Sequence, residues 1–120
     1  MTKKSLKQRG EDAAAAYLER VSICVVERSW RTDTGVIDII AFEGDTLVII
    51  DVKTRRSCHQ AGNQQVTAAT ASRIKRLAKA YLAYADLQDK SWRYDRIELL
   101  VISEDRALLR HHRDVLNSVN

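Results

Sequence analysis

Residues 36–53 read VIDIIAFEGDTLVIIDVK, and this stretch decides the fold. β-Branched and aromatic side chains dominate on both sides of Gly44-Asp45, a dipeptide suited to a two-residue hairpin turn. Residues 36–43 and 46–53 are therefore predicted strands. Leu47 to Ile50 is continuously apolar, so the second strand should be central and covered on both faces, with at least one helix on each side. If Glu43 faces Thr46, then Asp38 lies directly opposite Asp51 and Val36 opposite Lys53. A symmetric four-residue loop keeps the same register. Alternation then projects Asp38, Asp51 and Lys53 from one face, with facing Cβ atoms about 4.5–5.5 Å apart.

Such a pairing has no structural motive. Two carboxylates roughly 5 Å apart repel by about 3 kcal/mol at an effective dielectric near 20. Asp51 also interrupts an apolar strand, where an ionised group is expensive unless paired or coordinated. The pair becomes tolerable if one carboxyl is protonated, if Lys53 neutralises it, or if a divalent cation sits between the oxygens. A hard cation with few protein ligands keeps several waters, and one of these could attack a phosphorus atom. Lys53 could orient or deprotonate that water and offset transition-state charge. The alternatives are a register slipped by one residue, or two aspartates that simply face solvent near strand ends.

Outward from this hairpin, residues 23–30 (ICVVERSW) complete a three-stranded meander. Ser5 to Gln8 has capping-box spacing, and Leu6, Gly10, Ala14, Tyr17 and Leu18 recur at helical intervals, predicting a helix over about 6–20. Ile74, Leu77, Ala78, Tyr81, Leu82 and Ala85 form the stripe of a second helix, with Thr67 or Thr70 as its cap. Residues 93–102 (RYDRIELLVI) predict a fourth strand, and Ala107 to His112 a short fifth before a frayed or helical tail. The expected order is α-β-β-β-α-β, with a possible last strand, in the α/β class.

The 120 residues suit one domain, 1–120. With 45% hydrophobic and 30% charged residues, the composition excludes disordered and collagen-like classes. No apolar run approaches the roughly 20 residues that span a bilayer, and the polar Gln8 to Glu11 segment is unlike a signal-peptide core. A soluble, unexported, cytoplasmic protein without membrane attachment is expected. Cys24 and Cys58 are too far apart in sequence for a C-x-x-C zinc or redox motif, which favours reduced thiols.

The net charge is a modest +4, but it is segregated. Residues 10–52 carry nine acidic side chains against three basic ones, whereas residues 53–79 carry seven basic side chains and no acid. An acidic block followed by a basic one suits a site that holds cations and faces a polyanion. Arg55, Arg56, Arg73, Lys75, Arg76 and Lys79 are the candidate phosphate contacts, although a solvated helix face would also explain the last four. His59, Gln64 and Gln65 follow the basic loop as weaker candidates. His111 and His112 are adjacent, hence on opposite faces of a strand, and receive no role. Trp30, Trp92 and Tyr94 are expected to pack rather than stack on bases. No Gly-rich phosphate loop or Ser-His-Asp triad is present.

Asp38, the hairpin, and then Asp51-Val52-Lys53 within this element order resemble the PD-(D/E)XK nuclease superfamily. More closely, the chain resembles the YraN family of small bacterial endonuclease-like proteins, whose core is similar to archaeal Holliday-junction resolvases. The residues that carry the resemblance are Gly10-Glu11-x-Ala13, Tyr17-Leu18, Trp30-Arg31, Ile37 to Ala41, Asp51 to Arg56, Val66-Thr67, Arg76-Leu77 and Arg93-Tyr94-Asp95. It implies a restriction-endonuclease-like fold with a central mixed sheet flanked by helices. It further implies Asp38 and Asp51 as ligands of Mg2+ or Mn2+, Lys53 as the catalytic lysine, and Glu11 as a further acidic group of the catalytic and metal set. A nucleic-acid partner follows from the same resemblance, DNA first and structured or branched DNA through the resolvase analogy, as does a homodimer. Two departures stand out. Val36 occupies the place of a glutamate common in the family, for which Glu11 and Asp33 are the available substitutes, and Asp51 replaces the usual Glu. The competing readings are a catalytically weak nucleic-acid-binding module and an assembly factor for an acidic protein partner.

Overall fold

The computed structural model describes residues 4–56 and 66–117. The predicted stretch forms β2 (Gly35–Glu43) and β3 (Thr46–Arg55), preceded by α1 (Leu6–Arg20) and β1 (Cys24–Thr32) and followed by α2 (Ala68–Tyr84), β4 (Trp92–Ser103) and β5 (Arg106–His112). Local chemistry sets the helix starts. Ser5 closes a capping box with Gln8, and the Thr67 hydroxyl accepts the Thr70 backbone N–H.

The five strands lie in the order β1-β2-β3-β4-β5, so β3 is central as expected. All neighbours are antiparallel except β3 and β4, whose parallel pairing needs the long crossover that α2 provides. This is an α/β fold, a mixed sheet flanked by helices, consistent with a restriction-endonuclease-like core.

Two apolar cores cover the sheet. On one face Ala14 and Leu18 of α1 pack with Ile39, Ala41, Val48, Ile50 and Val52. On the other, Ile74, Leu77, Ala78, Tyr81 and Leu82 of α2 pack with Ile40, Leu47, Ile49 and Tyr94. The apolar run in β3 thus divides by alternation, its even residues toward α1 and its odd residues toward α2. Trp30 packs edge-on to Tyr81 at 5.1 Å between ring centroids, and Tyr94 is buried, so these aromatics serve packing. Among the described residues, no helix is long and apolar enough to cross a membrane.

Candidate active site

The hairpin register is the expected one: Glu43 pairs with Thr46, and the series runs to Ile39 with Ile50. There it stops. The next step would pair Asp38 with Asp51, but the backbones no longer hydrogen-bond as a ladder; instead Asp38 Oδ2 accepts the Val52 backbone N–H at 2.9 Å. The other side of β2 is distorted at the same level. Ser29, which falls opposite Asp38 between the Arg28–Ile39 and Trp30–Ile37 pairs, has a left-handed φ of 53°. Ile37 joins the α2 core and Ile39 the α1 core, so strict alternation breaks at Asp38. The expectation that Asp38, Asp51 and Lys53 share one face is therefore modified. Asp38 occupies the gap between two parting strands, and Asp51 lies beside it.

Both aspartates line an open cleft of about 580 Å3, together with Lys7, Val36, Lys53 and Arg73. Asp38 is 8% exposed. Burial pushes its carboxyl up to about 6; the Val52 N–H opposes the rise, while the Asp51 carboxylate, with which Asp38 can share a proton, and the charge of Glu11 add to it. Asp51 is more open and has cations on both flanks, with Lys53 Nζ at 3.5 Å and Arg96 Nε at 3.8 Å from its Oδ2.

Glu11 reaches this region from α1. Gly10 lets the helix approach β3 closely, because a Cβ there would overlap the Thr54 hydroxyl. Glu11 is consequently buried, with Arg28 at 4.0 Å, and it acts on Asp38 through its charge. Asp33, the other acid considered beside Val36, lies exposed in the turn between β1 and β2. Among the described residues, no three His, Cys, Asp or Glu side chains are grouped closely enough to hold a metal ion. A two-carboxylate site nonetheless suits a hard divalent cation. The Asp51 and Glu11 charges beside Asp38 make a negative site whose repulsion such an ion would relieve, and the open cleft has room for the waters that Mg2+ keeps.

The basic candidates divide. Arg73 lines the cleft, while Arg55 ends β3 and Arg56 follows it. Lys75 lines a different groove, with Trp92, Arg93 and Asp114. Arg76 and Lys79 are exposed on the outer side of α2, away from its buried stripe. His59, Gln64, Gln65 and Cys58 lie outside the described residues, and Cys24 is exposed and free.

Sequence reasoning passed over three things. Lys7 lines the same cleft as the carboxylates, and Arg96 comes within ion-pair distance of Asp51. His111, given no role, joins α1 to the sheet. Its Nε2 is 2.8 Å from the fully buried Asp95, and its Nδ1 is 2.8 Å from the Tyr17 hydroxyl. Burial raises the Asp95 pKa, but His111, Arg93 and the Asp114 N–H outweigh it and hold the carboxyl below its ordinary range. The available signal was an acid set between Tyr94 and Ile97 in an otherwise strand-forming run, since an acid in such a strand must find partners if it is buried.

A family model described as "Uncharacterised protein family UPF0102" matches residues 10–102. A UPF0102 protein of Geobacter sulfurreducens is 38% identical over 109 residues, covering 90% of this chain and 85% of the relative. One from Chloroflexus aurantiacus is 42% identical over 98 residues, covering 81% and 80%. One from Arthrobacter sp. is 38% identical over 111 residues, covering 92% and 94%.

Proposed function

We propose, for a chain that belongs to the uncharacterised protein family UPF0102, the YraN family, that the cleft hydrolyses phosphodiester bonds in nucleic acid, DNA first among them. The observation that carries this reading is the Asp38–Asp51 pair, two carboxyls brought together where β2 and β3 part, at a cost that core packing does not require.

Asp38 and Asp51 would hold Mg2+ or Mn2+, with Glu11 behind Asp38 adding negative charge. Such an ion lowers the pKa of water and stabilises charge on phosphoryl oxygens. Lys53 is placed beside Asp51 to orient an attacking water or to offset charge that develops on phosphorus. Lys7 and Arg73 on the cleft walls, with Arg55 and Arg56 beyond Lys53, favour the approach of a phosphate backbone. The Val52 N–H holds Asp38 Oδ2 in place, so the carboxylate needs little reorganisation to accept a cation.

The test is incubation of the protein with duplex, single-stranded and four-way-junction DNA and with RNA, in Mg2+ and in Mn2+. Cleavage should vanish in Asp51→Ala and Lys53→Ala while the fold persists. Binding without cleavage would favour a second reading, a nucleic-acid-binding module. The absence of a third metal-ligating side chain among the described residues, beside Val36, is the observation on its side.

A further inference from the structure

β4 carries a cation whose hydrogen-bonding capacity is almost unused. The parallel register sets Arg96 beside Asp51, and alternation puts it on the same face as Tyr94. Its side chain is 13% exposed, and its Nε is enclosed without a hydrogen-bond partner. One terminal nitrogen makes a long contact of 3.4 Å with the Tyr94 hydroxyl, and the guanidinium lies 6.0 Å from the Tyr94 ring centre. The 3.8 Å between Nε and Asp51 Oδ2 is an ion-pair distance, too long for a hydrogen bond.

A guanidinium has five N–H donors, and buried donors are ordinarily satisfied. Arg93, on the same strand, shows what a structural arginine does. It closes a two-point contact on Asp95, at 2.9 and 3.2 Å, and reaches Glu43 at 2.7 Å. Arg96 does neither, although a carboxylate is at hand. It sits beside Asp51, which lines the cleft together with Lys7, Lys53 and Arg73. A phosphodiester, with two non-bridging oxygens, matches a guanidinium fork as a carboxylate does.

We propose that Arg96 is a phosphate-binding residue of this cleft: it leans on Asp51 in the free protein and turns its unused donors to the non-bridging oxygens of a bound phosphodiester. The assignment rests on the nucleic-acid reading above and adds a consequence to it. Arg96 and a divalent cation compete for Asp51, so a bound phosphodiester that draws Arg96 away favours uptake of the cation, and the cation in turn favours the phosphodiester.

The decisive measurement is binding of a short fluorescent single strand to the full chain in EDTA across a salt series, beside thermal melting. Arg96→Met should weaken binding at least tenfold and lower the slope of log Kd against log salt by about one phosphate contact. Arg96→Lys should keep the slope and lose part of the affinity, because an ammonium has no fork. Calorimetry with Mn2+ alone should show tighter metal binding to Arg96→Met than to the wild type. Wild-type affinity and slope in Arg96→Met, or a lowered melting temperature with unchanged binding, would overturn the assignment. If Arg96→Met does not fold, full wild-type affinity in Arg96→Lys does the same. A wild type that binds no nucleic acid at low salt removes the nuclease reading itself, whereas one that binds but ignores Arg96 removes only this inference.

Discussion

Asp38 Oδ2 accepts the backbone N–H of Val52 at 2.9 Å, so a side chain replaces a rung of the β2–β3 ladder. The substitution keeps the buried N–H satisfied while it opens the sheet by one residue. That opening admits a second carboxylate beside the first.

The raised carboxyl of Asp38 makes stability depend on pH. Its value of about 6 in the folded chain exceeds the ordinary 3.8, so the folded state binds the proton more tightly. Its contribution to stability is fully present below about pH 4 and is lost as pH rises through 6. Asp38→Asn, which keeps an acceptor for Val52, should abolish this decline and stabilise the protein at pH 7.5 by about 1–3 kcal/mol, since one pKa unit is worth about 1.4 kcal/mol. Urea denaturation of both proteins between pH 5 and 8 checks it; parallel curves would contradict it.

A divalent cation should relieve the same repulsion. Millimolar Mn2+ or Mg2+ is expected to raise the melting temperature of the wild type at pH 7.5, because a ligand that binds only the folded state stabilises it. Asp51→Asn should lose most of that rise. Equal rises in both proteins would place the ion elsewhere.

Asp95 has the opposite sign. Its folded pKa is depressed, so the stability it contributes is present above about pH 4 and is lost as pH falls through the folded value. Asp95→Asn leaves the Arg93 guanidinium, 17% exposed, without its buried counter-charge. The expected cost at pH 7 is about 3 kcal/mol, in the range for breaking one partner of a buried pair. Denaturation midpoints at pH 7 and pH 3 should show the two proteins converging in acid.

Gly10→Ala tests how closely α1 must approach β3. The new Cβ would overlap the Thr54 hydroxyl and come to 3.0 Å from Thr54 Cβ, so the helix must lift. A loss of about 1–3 kcal/mol from overpacking should outweigh the helix-propensity gain of about 1 kcal/mol. Adding Thr54→Ala, which removes the overlapping oxygen, should restore part of the loss; strict additivity would argue against direct contact.

Much of the fold was legible from local patterns. The helix at 6–20 needed only its capping box and periodicity, and the β2–β3 register needed only the Gly44-Asp45 turn, because a two-residue turn ties each pair of positions to the next. That arithmetic placed Asp38 and Asp51 together. It missed the end of the ladder at Ile39–Ile50, because turn arithmetic counts backbone pairs and cannot show a side chain, that of Asp38, taking the Val52 N–H in place of a rung.

The long-range pairings were not legible. Arg96 reaches Asp51 through a parallel register, and a crossover helix does not tie the register of the strands it joins as a tight turn does. His111 is engaged only because α1 docks Tyr17 against it, and Arg73 alone of the four basic α2 candidates lines the cleft because helix rotation is set by packing of the opposite stripe.

The order of residues thus determined by itself the elements, the central position of β3 and the meeting of the two aspartates, since all of these follow from interactions within a turn or between adjacent strands. Tertiary packing decided which charges surround that pair, how deeply Asp38 is buried and what Arg96 leaves unused. Burial and non-local register depend on the summed contacts of distant segments, and no short stretch of sequence carries that sum.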